Sequence, residues 1–268
     1  MRTPLRPLIG ALLTAALSLS ALVIPTPTAN AVIGGKPIDI TQAPWQVRIE
    51  SGKLTCGGTI IDPEWIATAA HCVNASTPQT LNVYAGITYT NQTTFRHEYP
   101  VQTIHVHPRF NARSFTYDAA LIKLARPIAR SERSTPAALP TAANPARWPA
   151  KGIKASIAGW GDTASGKPST RLQRTRVRVL ASPSVQECGK YGQLFNPRTQ
   201  ICAGTLTGTR DACQGDSGGG LITRSNKTAV LAGIASTGNG CGTENYPGIY
   251  TRITTMLPWI QETIRARR

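Results

Sequence analysis

Short apolar runs rich in β-branched residues, each closed off by glycine or proline, constrain this chain more than any other feature. "LNVYAG" (81–86), "ALIKL" (120–124), "KASIAGWG" (154–161) and "TAVLAGIAS" (228–236) are strand-length and bounded by turn residues. The 24 glycines and 20 prolines, spread without a period over 268 residues, supply the turns that many short strands need. An all-β fold class follows. A hydrophobic content of 41 % suits one large domain or two small ones with a proper core and excludes a disordered chain.

Two segments depart from the strand pattern. Residues 131–150, "SERSTPAALPTAANPARWPA", are rich in Pro, Ala and Ser and read as a connection between two halves. In "TMLPWIQETIRARR", Met256, Trp259, Ile260 and Ile264 recur at helical spacing, with Pro258 suited to a first turn and cations at the end. One short C-terminal helix is expected there.

Residues 1–31 have the form of a secretory signal. Arg2 and Arg6 precede an uncharged stretch from Leu8 to Ile24, followed by Pro25, Pro27 and an A-x-A exit, "ANA". A membrane anchor is the rival reading, but Thr14, Ser18 and Ser20 dilute the stretch and the small-residue exit favours cleavage. The expected mature protein is secreted, extracellular and free of the membrane. Its six cysteines point to three disulfides with fifteen pairings formally open, and no C-x-x-C pair suggests zinc.

The formal net charge is +16, or +14 after the two leader arginines are removed. The cations are scattered. In the densest cluster, "RLQRTRVRV", Arg174, Arg176 and Arg178 alternate with apolar positions, which is the pattern of a strand's solvated face and not of a nucleic-acid site. Binding to anionic surfaces stays a minor reading.

The residues capable of chemistry gather around "DACQGDSGGG" (211–220), which spends two of the chain's few aspartates in six residues. A serine hydroxyl needs a base to become a nucleophile. Without one, Gly-Asp-Ser-Gly is simply a turn. His71, in the apolar "WIATAAHC", is the best base, whereas His97, His105 and His107 read as surface residues; "HVH" at 105–107 offers two same-facing imidazoles but no third metal ligand. Asp118 in "TYDAALIKL", a lone carboxylate entering an apolar strand, is the best group to orient an imidazole.

"VIGG", "TAAHC", "DAALIKL", "GWG", "GDSGG" and "YPGIYT", in this order from Val32 onward, resemble the signature stretches of the chymotrypsin-like serine proteases, trypsin branch. That family supplies the standard example of the Ser-His-Asp triad, and the order His71, Asp118, Ser217 matches it. The G-x-S-x-G elbow of an α/β-hydrolase esterase is missing.

The resemblance implies two antiparallel six-stranded β-barrels of the trypsin-like fold, about 32–130 and 151–268, with the helix at the end of the second. It implies the pairings Cys56–Cys72, Cys188–Cys202 and Cys213–Cys241. It makes Ser217 the nucleophile, His71 the base and Asp118 its orienting acid, with Ser236 bonded to Asp118 from behind and the Gly215 and Ser217 N–H groups as oxyanion hole. Asp211 becomes the anionic floor of a substrate pocket that also includes Ala212, Gln214, Ser236, Gly238 and Gly248. Cleavage after Arg or Lys follows, with Arg favoured because Ala212 replaces a serine common in the family. Asp216 is expected to pair with the freed amine of Val32, which the "ANA" cut at Ala31 would expose directly; an earlier cut followed by trimming is the rival.

Two positions depart from the family pattern: Gly220 replaces a usual proline, and Thr237 a usual tryptophan. No cofactor is expected, and Glu98 is the sole carboxylate between His71 and Asp118, too little for a calcium loop. The expected partners are protein or peptide substrates and proteinaceous inhibitors, with the chain a monomer. A non-catalytic relative that binds anionic surfaces is the alternative, disfavoured because every triad residue is present.

Overall fold

A computed structural model describes residues 32–141, 148–181 and 188–267. The leader expected at 1–31 and the middle of the 131–150 connection lie outside these residues. Among them are thirteen strands and one α-helix. The strands are β1 (Lys36–Pro37), β2 (Gln46–Ser51), β3 (Leu54–Asp62), β4 (Trp65–Thr68), β5 (Leu81–Ala85), β6 (Val101–Val106), β7 (Ala120–Leu124), β8 (Lys154–Gly159), β9 (Gln173–Ala181), β10 (Gln200–Gly204), β11 (Gly220–Ser225), β12 (Thr228–Thr237) and β13 (Gly248–Arg252). Helix α1 spans Ile253–Arg265.

The first sheet is antiparallel in the order β5-β2-β3-β4-β7-β6. Its outer strands curl towards each other, joined by bonds from Tyr99 N–H to Val83 O (2.8 Å) and from Ala85 N–H to His97 O (3.0 Å). The second runs β1-β9-β10-β13-β12-β11-β8 and closes because β8 also pairs with β9 over six residues, from Lys154↔Arg178 to Gly159↔Gln173. Closure removes sheet edges, so few strand N–H groups are left without partners. The fold is therefore the expected pair of β-barrel units with a C-terminal helix.

Strand β9 illustrates how sequence dictates placement. Thr175, Val177 and Val179 are buried while Arg176 and Arg178 are exposed, the two-residue alternation of a half-buried strand. The apolar members, with Ile157, Ile201, Leu221 and Tyr250, fill the second barrel.

Helix α1 begins earlier than the proline suggests. It follows directly from β13, so Pro258 sits inside the helix and not in its first turn. A proline there forgoes one backbone bond, while Ile253, Met256 and Ile260 are completely buried on the inner face.

The barrels meet backbone to backbone along the glycine run. A Cβ on Gly57 of β3 would lie 2.9 Å from Gly219 Cα. One on Gly220 would lie 2.5 Å from Thr59 Oγ1 and 3.0 Å from both Ile222 Cδ1 and Leu231 Cδ1. The departure at Gly220 thus has a packing cause: the fully buried Thr59 side chain takes the space that a larger residue at 220 requires.

Candidate active site

Each half contributes one part of the site. From the first, β4 ends in a 3₁₀ turn, Ala70–Cys72, that presents His71, and the Cys56–Cys72 disulfide ties this turn to β3. Asp118 lies two residues before the start of β7 and is wholly buried. Its Oδ1 accepts His71 N–H at 2.9 Å, and its Oδ2 lies 2.7 Å from His71 Nδ1 and accepts the Ser236 hydroxyl at 2.6 Å. Burial of a carboxylate is tolerable when its lone pairs are so occupied. With Asp118 ionised, this contact puts the imidazole proton on Nδ1 and leaves Nε2 a lone pair.

Aromatic packing completes the setting. Phe115 meets the His71 ring edge-on with centroids 5.6 Å apart, and has a positive φ of 51°. Such backbone persists only where its surroundings hold it, here Gln200 Nε2, which donates to the Ser114 and Phe115 carbonyls at 3.3 and 3.1 Å. Sequence reasoning missed Phe115, whose only hint was an aromatic three residues before Asp118.

From the second half, the turn after Cys213 presents Ser217. It is closed by Asp216 N–H to Cys213 O and Gly219 N–H to Asp216 O, both 3.0 Å, and the Cys213–Cys241 disulfide staples it to the 238–242 loop. Gly215 has φ +87°, and a Cβ there would approach Gly161 Cα to 3.0 Å, so only glycine fits without strain. Among the described residues, neither the Gly215 nor the Ser217 N–H is given to a protein acceptor.

His71 and Ser217 line one cavity of about 260 Å³, together with Asp211, Ala212, Gln214, Ser236, Gly238 and Gly248. Every pocket residue inferred from the sequence is therefore brought to one place. Asp211 is nearly buried; it accepts Ala212 N–H at 2.9 Å and Gly242 N–H at 3.1 Å. Loss of hydration pushes its carboxyl up to about 6 despite these backbone bonds, so a cation entering the cavity meets a group that gains from being paired. A Cβ on Gly248 would lie 2.6 Å from Asp211 Oδ1, whereas one on Gly238 meets nothing closer than Gly240 O at 3.4 Å.

Asp216 points away from this cavity, into the protein. It is fully buried, accepting Gly161 N–H at 2.9 Å and Cys213 N–H at 3.0 Å, and desolvation pushes its carboxyl up to about 7. Val32 is also completely buried, and the neighbouring Ile33 forms a backbone bridge with Asp211.

The surface reading of two other histidines needs correction. His107 is not a surface residue: it is buried, stacked on Tyr117 at 4.9 Å and against Trp259 of α1 at 4.8 Å, and burial lowers its pKa to about 4. His105 is half-buried, against Trp65 and Thr103. The cluster of Cys56, Cys72 and His71 has ligand atoms within 4.8 Å of one another, but its two sulfurs are bonded together and offer a metal no thiolate. All three disulfides follow the pairing implied by the resemblance.

The family model for trypsin matches residues 32–260. The chain belongs to the trypsin family. This trypsin-family chain is 34 % identical over 243 residues to human "Transmembrane protease serine 5", covering 88 % of the chain and 52 % of that protein. It is 35 % identical over 240 residues to mouse "Serine protease 56", covering 88 % of the chain and 39 % of that protein. The chain thus spans about half or less of the length of these relatives. No helix among its described residues is long and apolar enough to cross a membrane.

Proposed function

We propose that the protein is an exported serine endopeptidase that cuts peptide bonds after arginine and lysine. One observation carries this reading: a nucleophile, a base already held by a buried carboxylate, and an anionic pocket floor line a single cavity. Ser217 attacks the scissile carbonyl as His71 Nε2 takes its proton. Asp118 keeps the imidazole oriented and stabilises the imidazolium, and the proton then passes to the leaving amine. Water hydrolyses the acyl-enzyme by the same sequence in reverse.

The free N–H groups of Gly215 and Ser217 serve the oxyanion, where one such donor is typically worth about 2.7–4 kcal/mol in the transition state. Asp211 selects the cationic side chain. Ala212 brings no hydroxyl to that floor, which disfavours Lys more than the bidentate guanidinium of Arg. Asp216, fully buried and in no ion pair among the described residues, takes the α-amine of Val32 once that residue is freed. In this reading the cut after Ala31 both exports and activates the chain.

The decisive test is hydrolysis of small Arg, Lys, Phe and Ala esters by the processed protein and by Ser217→Ala. The expected result is turnover of the Arg and Lys esters only, abolished in the variant. Equal rates in the two proteins would overturn the reading.

A further inference from the structure

The solvated face of β9 is more than a row of scattered cations. Arg174, Arg176 and Arg178 leave the same side of the strand, about 6.7 Å apart at two-residue spacing. Two cavities of about 190 and 520 Å³ lie along it and share Arg176 and Arg210, while Lys36 lines the first and Lys154 the second. No carboxylate lines either cavity. Among the described residues none of the six cations is in an ion pair. The hydrogen bonds that three of them make go to neutral oxygens: Arg174 to Gln42 Oε1, Arg178 to Gly152 O and Arg210 to Arg176 O. Burial and the neighbouring Arg176 and Arg224 hold the Arg174 pKa below its usual value. Uncompensated like charges repel, and an anionic occupant relieves that repulsion.

We propose that this cleft binds an extended acidic peptide segment of a partner protein, with carboxylates on alternate residues. The spacing favours a peptide, because an extended chain presents one-face side chains at the same repeat as β9 itself. Guanidinium forks match carboxylates two bonds at a time. Leu180 and the half-exposed Leu206 also line the larger cavity and give apolar residues of such a segment a surface to cover. His71, Asp118 and Ser217 line neither cavity, so a peptide bound here leaves the triad uncovered.

The test is fluorescence anisotropy with the full chain carrying Ser217→Ala. The probe is a labelled peptide of alternating Thr and Glu with three glutamates; its control has the same composition with glutamates at every third position. Neither contains Arg or Lys. The alternating peptide is expected to bind at least threefold more tightly than the control and to weaken as salt rises. Arg176→Ser with Arg178→Ser, both exposed, is expected to weaken it about fivefold, whereas Arg130→Ser outside the cleft leaves it unchanged. Equal affinity for the two peptides, or indifference to the double substitution, overturns the proposal. So does tighter, arginine-dependent binding of a sulfated oligosaccharide of equal charge, which would make the cleft a glycan site.

Discussion

Thr59 Oγ1 occupies the place where a side chain at Gly220 would begin, only 2.5 Å from the position of a Cβ. The contact joins β3 of one barrel to β11 of the other, close to the turn that presents Ser217. Gly220→Ala should therefore cost about 1–3 kcal/mol, the usual range for overpacking a filled core. Adding Thr59→Ala should recover part of the loss by removing the opposing hydroxyl. Urea unfolding of the single and double variants checks this, and strictly additive losses would mean that the two residues are not in competition.

Ser236 and the imidazole share one oxygen of Asp118. Removing the hydroxyl with Ser236→Ala leaves Oδ2 bonded to His71 alone, so the carboxylate is less well held in its buried site. A hydrogen bond to a charged group contributes about 1.5–3 kcal/mol. The variant should lose about that much stability, and kcat should fall about tenfold with little change in KM, because a positioning residue acts on the reacting geometry and not on substrate affinity. A changed KM at constant kcat would place Ser236 in substrate binding instead.

The site was more legible in the sequence than its supports were. Asp211, Asp216 and Ser217 share one short stretch, and strand alternation announced the two faces of β9, because both signals are local. Phe115 and His107 depended on distant partners: Gln200 holds the backbone of the first, and Trp259 covers the second from a helix some 150 residues downstream. No local pattern carries such contacts. Gly220 made no sense until Thr59 was known to face it, and two-residue β1 was too short to have a pattern. Pro258 misled about α1 because the apolar face, not the proline, decides where that helix starts.

The floor of the pocket should titrate. With the Asp211 carboxyl raised to about 6, acidification through that pH protonates it and removes the charge on which the proposed choice of a cationic side chain rests. An aryl amidine, a rigid cationic competitor, should bind well above pH 7, and its inhibition constant should rise about tenfold for each pH unit below 6. Asp211→Asn should bind it poorly and show a flat profile. The same dependence in both proteins would locate the titrating group elsewhere.

Under the proposed pairing with Val32, Asp216 links stability to the state of the N-terminus. Its folded-state pKa, about 7, lies above its ordinary value of 3.8, so between these limits the folded chain binds more protons than the unfolded one. The contribution of this group to stability should then decline as pH rises through this window, by about 1.4 kcal/mol per unit at most, and hold steady below it. A form with Ala31 still preceding Val32 should display that decline, as it has no α-amine to offer. A form beginning at Val32 can place an ammonium against the carboxylate, which lowers the carboxyl pKa and removes this part of the slope, while the parts due to Asp211 and His107 are common to both forms. Thermal unfolding of both forms from pH 4 to 8 makes the comparison, with Asp216→Asn in the longer form expected to give the profile of the form beginning at Val32. Identical slopes in the two forms would dissociate Asp216 from Val32 and leave the buried carboxylate without its proposed partner.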